Sequence, residues 1–108
     1  MQLSFDEIKE LLKGLVPSSG NDSHSFEIGK AYLIRTVTMY YVGRLVSITD
    51  ADVVLSDAAW VPDTGRFSDA LKTGNLCEVE PFVDRVIVMR SGMIDACEWT
   101  AKLPRDKK

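Results

Sequence analysis

Gly43-Arg44-Leu45-Val46-Ser47-Ile48, then Thr49-Asp50-Ala51-Asp52, then Val53-Val54-Leu55-Ser56-Asp57-Ala58 form the stretch on which the fold turns. Two runs rich in β-branched and aliphatic residues flank four residues of turn chemistry, because aspartate and threonine side chains bond nearby backbone amides. The pattern predicts a hairpin. The same texture extends outward, giving strand candidates over residues 31–42, 44–48, 52–61, 86–90 and 93–99. Gly43 marks a sharp bend or bulge between the first two, and Ser91-Gly92 is short enough for a second hairpin turn. Five strands in sequential antiparallel order result, curled into a barrel that limits exposed sheet edges.

Before the strands, Leu3-Ser4-Phe5-Asp6-Glu7-Ile8 carries a capping box, with Ser4 at the N-cap and Glu7 three residues on. Phe5, Ile8, Leu11, Leu12 and Leu15 recur at helical spacing and Gly14 is placed to end the element, which predicts a helix over residues 1–15. Residues 16–30 read as a linker, rich in turn formers, and the single histidine, His24, is expected there in solvent without a role. Residues 62–85 form a long insertion between the third and fourth strands. Within it Arg66 to Lys72 make about two helical turns before Gly74, with Phe67, Leu71 and Leu76 facing the barrel. Residues 100–108, with Lys102, Arg105, Lys107 and Lys108, are expected as a flexible tail.

The composition bounds the function. The 108 residues suit a single domain, and 45% hydrophobic with 27% charged residues matches a globular chain rather than a disordered one. Thirteen Lys and Arg against sixteen Asp and Glu leave a net charge of −3, so any attraction to phosphate backbones must be local. No apolar run exceeds four residues and no secretory leader pattern opens the chain, so the expectation is a cytoplasmic protein without a membrane partner. Cys77 and Cys97 lack the spacing of a zinc site or a disulfide framework and read as buried free thiols.

Taken together, the stretch from Gly43 to Ala58 resembles the first sequence motif of the Sm and Sm-like proteins. The order of elements resembles that family too, and Val88-Met89-Arg90-Ser91-Gly92-Met93-Ile94 stands where its second, apolar-Arg-Gly motif falls. The resemblance covers residues 31–99 and the helix. It implies a mainly β fold: an N-terminal helix followed by a five-stranded, strongly bent, SH3-like antiparallel barrel. It also implies self-association into a hexamer or heptamer ring by pairing of the fourth strand with the fifth of the next copy, through Val86, Val88, Ile94 and Ala96. Single-stranded RNA binding would fall to Asp50, Asp52, Arg90 and Gly92. The chain departs from that pattern at the first turn, where Asp50-Ala51-Asp52 replaces the expected asparagine, and at Ser91, which separates Arg90 from Gly92. Repeated around a ring, those carboxylates would oppose an RNA backbone.

Each motif carries a plainer reading. Asp50 and Asp52 suit turn chemistry as well as a ring of carboxylates that could hold a cation. Tyr32, Tyr40, Tyr41, Trp60 and Trp99 could stack on bases, but core and interface positions favour aromatics equally. Neither a nucleophile elbow nor a phosphate loop occurs, so no enzyme, cofactor or metal site is expected. Two functions lead, a ring that binds RNA and a structural or adaptor ring that binds a protein partner, and an enzyme using clustered carboxylates is kept as a third behind them.

Overall fold

The computed structural model describes residues 24–108; the helix expected over residues 1–15 lies outside them. Six strands, one short helix and a 3-10 turn follow one another: β1 (Ala31–Thr36), β2 (Tyr40–Ile48), β3 (Asp52–Asp63), α1 (Phe67–Thr73), β4 (Glu78–Pro81), β5 (Val86–Met89), the turn Arg90–Gly92 and β6 (Met93–Glu98). All pairings are antiparallel, in the order β4-β3-β2-β1-β6, with β5 also on β3. The sheet is mainly β as expected, but it is open. No ladder joins β5 to β6, so the expected closed five-stranded barrel is corrected to an open sheet of six strands.

Two further expectations change. The run 31–42 breaks after Thr36, whose hydroxyl donates to the Met39 carbonyl at 2.8 Å and accepts from the Met39 amide at 3.2 Å. A threonine side chain thus makes a turn without glycine or proline. Ser91-Gly92 does not join a hairpin either, because Arg90–Gly92 wind as a 3-10 turn and deliver β6 to β1 instead of β5. The insertion holds the predicted helix and also β4, a four-residue strand whose two glutamates and proline hid it. Gly74 ends α1 at φ 80°, its amide donating to the Ala70 carbonyl at 2.8 Å.

Gly43 explains how one sheet serves two cores. It lies within β2 opposite an extra residue of β3: Val42 pairs with Ala59 but Arg44 with Ser56, and Asp57 takes φ 46°. That bulge moves the odd-numbered residues of β3 from one face to the other. Val53 and Leu55 therefore join Tyr32, Ile34, Leu45, Ala58 and Val88 in one cluster. Ala59 and Val61 join Ala31, Leu33, Val42, Ala70, Leu76, Val79, Trp99 and Leu103 in the other. A Cβ on Gly43 would lie 2.9 Å from the Ala58 Cβ and 3.0 Å from the Leu55 Cβ, so the strands cross closely only because none is there.

Residues 100–108, expected as a flexible tail, instead fold back over α1 and β4 behind Trp99, itself expected at the end of the last strand. Trp99 and Leu103 are buried, the Trp99 indole donates to the Lys102 carbonyl at 3.3 Å, and Arg105 donates to the carbonyls of Ala58 and Phe82 at 3.4 and 3.3 Å. The apolar side chains Trp99 and Leu103 supply the reason, since the surface of Ala70, Leu76 and Val79 lets them leave water.

Candidate functional site

The β2–β3 turn is built by Thr49. Its hydroxyl accepts from the amides of Ala51 and Asp52, both at 3.1 Å, and donates to Asp52 Oδ1 at 3.2 Å. Pairing of Asp52 with Met89 then brings the next residue, Arg90, against the turn. The Arg90 amide donates to the Ala51 carbonyl at 2.9 Å and its Nη1 to the Thr49 carbonyl at 2.6 Å. Asp50 and Asp52 thus share one end of the sheet with Arg90, which lies far from both in the chain.

Their roles there are unequal. Half of the Asp52 carboxylate is engaged by Thr49, Asp50 stands exposed, and the Arg90 guanidinium already holds a backbone carbonyl. Gly92 is set apart from them: its carbonyl accepts from the Val37 amide at 3.0 Å, joining the 3-10 turn to the β1–β2 turn. A Cβ on Gly92 would meet nothing within 4 Å, so glycine is not sterically required there.

The proposed interface strands divide between core and surface. Val88 is 5% exposed and packs into the cluster of Ile34 and Leu55, so its side chain is not available to a partner, and Val86 is half-buried beside it. The outward apolar side chains of β5 are Ile87 at 62% and Met89 at 55% exposure, which alternation along the strand could have indicated. On β6, Ile94 is 56% exposed and Ala96 half-buried. Beside them Phe26, Tyr32 and Met93 complete an apolar groove of about 270 Å³, with Ser25 and Asp95 at its rim.

Polar side chains along β6 are tied within the chain. Arg35 pairs with Asp95, and Lys30 with both Glu27 at 2.9 Å and Glu98 at 3.1 Å, which raises the Lys30 ammonium above the usual lysine range, through Glu27 first and Glu98 second. Cys97 lies half-buried on the same strand, its thiol pushed up by burial and then by the Asp95 charge, whereas Cys77 is exposed. Both thiols are free, and the expectation that both are buried is corrected.

Four of the five aromatic candidates pack within the chain, and Trp60 is half-buried outside both clusters. Tyr32 and Trp99 are buried, Tyr41 stacks on Phe82 at 6.1 Å between ring centres and Tyr40 lies tilted against Phe67. His24 is half-buried rather than free in solvent, its Nδ1 accepting from the Phe26 amide at 3.1 Å. Among the described residues no three His, Cys, Asp or Glu side chains gather around a common point. None of their helices is long and apolar enough to cross a membrane. No family model, curated protein or solved structure matches the chain.

Proposed function

We propose that the chain is a non-enzymatic, Sm-like subunit that closes into a hexamer or heptamer ring by pairing β5 of one copy with β6 of the next, and that the ring is a scaffold for a protein partner. One observation carries the reading: among the described residues β5 and β6 are each paired on one side only, and each sets exposed apolar side chains beside that unpaired edge. Such edges are templates for strand addition, and ring closure removes two per subunit. The acidic turn and the engagement of Arg90 with Thr49 favour a protein partner over RNA.

The mass of the purified protein by light scattering tests this, measured alone and with oligo-uridine or oligo-adenine at low and physiological salt. A bare ring supports the scaffold, a ring that carries RNA in a salt-sensitive manner replaces it with the nucleic-acid reading, and a monomer overturns the ring. Ile87→Asp, which places a charge on the exposed face of β5, should reduce the mass to that of one chain. An unchanged mass would remove β5 from the interface. Val88 is the wrong position for that test, because a carboxylate there would be buried in the core.

A further inference from the structure

The outer edge of the sheet beyond β3 is shared by two short strands, β4 opposite Ala59 to Asp63 and β5 opposite Asp52 to Leu55. They differ in what lies outside them. Val79, in the middle of β4, donates to the Lys108 carbonyl at 2.9 Å and accepts from the Lys108 amide at 2.8 Å, the reciprocal exchange of an antiparallel pair. The groups of Val79 that a further strand would use are therefore already taken by the chain itself. Nothing comparable covers β5 among the described residues.

Three anchors hold residues 99–108 in that position. Leu103 is buried with Trp99 in the cluster that includes Val79 and Ala70. The Arg105 guanidinium spans the carbonyls of Ala58, on β3, and Phe82, just after β4. Gly74 lets the segment cross the end of α1 closely, since a Cβ there would run into that of Ala101. The segment thus packs as a strap, which Lys108 ties to Val79 by two backbone hydrogen bonds.

We propose that this strap is an edge guard: it occupies the β4 half of the outer sheet edge and confines strand addition by a second copy to the β5 half. The inference deepens the self-assembly reading and rests on it only for the identity of the incoming strand. Without the guard the outer edge would offer both short strands, and copies could add at β4 in a register and direction that do not close, a route to open polymers. The device resembles in its effect the coverings by which sheet proteins protect an exposed edge.

Amide hydrogen exchange and light scattering on the full chain test the guard together. In the wild type the Val79 amide should be protected. Arg105→Ala, which removes two hydrogen bonds and leaves the apolar anchor, should speed its exchange several-fold, and Leu103→Asp by on the order of 100-fold. In both variants the Val53 amide, inside the sheet, should keep its protection, which separates release of the strap from unfolding. Release should also yield assemblies whose mass grows with protein concentration. Rapid exchange of Val79 in the wild type overturns the guard, and so does release of the strap without any new association. If the wild type is a monomer while the released variants associate, the ring fails and the guard stands.

Discussion

The two faces of the sheet are finished differently. The cluster around Leu33, Val42 and Val61 is closed by the chain's own α1, β4 and residues 99–108, so Ala70, Leu76, Trp99 and Leu103 complete it. The cluster around Ile34, Leu45 and Leu55 is completed only in part, and it is rimmed by the half-buried side chains Phe26, Tyr41, Ile48, Phe82, Val86, Met93 and Ala96. Val86 and Val88 of β5 and Met93 and Ala96 of β6 belong to this second cluster, and among the described residues no strand pairs with the outer edge of either. One face has been covered by an insertion and a returning segment, whereas the other keeps an apolar margin of the kind that association buries.

Truncations matched across the two clusters should break or sharpen that contrast most. Leu33→Ala and Leu55→Ala each remove a fully buried side chain and should cost about 2–5 kcal/mol in urea denaturation. If a second copy covers the open cluster, both midpoints should rise with protein concentration, because unfolding then also dissociates the assembly, and Leu55→Ala should weaken association more than Leu33→Ala does. Midpoints that do not depend on concentration would show that both cores are complete within one chain.

Gly43→Ala acts on the crossing that separates the clusters. The added methyl meets Ala58 and Leu55, neither of which is the end of a flexible side chain, so the strands must part, at about 1–3 kcal/mol. Thermal denaturation together with the exchange of amides on both sides of the bulge would read it, and loss confined to one side would mean that the clusters are not coupled there.

Arg90→Ala should have a smaller effect, about 1 kcal/mol from one hydrogen bond to the Thr49 carbonyl. Chemical denaturation measures that loss, and titration with oligo-uridine asks whether the same residue contributes to any RNA affinity. Arg90→Lys would restore charge without the planar fork, so recovery of stability by Lys would argue against the directed bond.

The smallest expected difference concerns the two thiols, of which Cys97 packs against the covered cluster. Cys77 is exposed within the insertion, and Cys97 is half-buried on β6 with its thiol pushed up by burial and by Asp95. A raised thiol holds less thiolate at neutral pH, so an alkylating reagent should reach Cys77 first. The gap should narrow as pH rises and Cys97 ionises. Equal rates near neutral pH would show that β6 opens faster than the reagent reacts.

Local chemistry determined much of what the sequence revealed. The β2–β3 hairpin, the bend at Gly43, the helix of the insertion and its end at Gly74 all follow from turn residues, β-branched runs and the conformational freedom of glycine, which act within a few positions. Arg90 could be marked as a candidate but not placed against Thr49, because that contact follows from the pairing of Asp52 with Met89. The same holds for the turn at Thr36, made by a side-chain hydroxyl, and for β4, whose glutamates and proline argue against a strand until Trp60 and Asp63 supply its partners. Residues 100–108 look like a solvated tail in isolation, since only the surface formed by Val79, Ala70, Leu76 and Trp99 gives Leu103 a reason to fold back. Which strand edges stay open was likewise decided in three dimensions, because an edge is defined by the strand that fails to arrive beside it, and composition within a strand does not encode its neighbours.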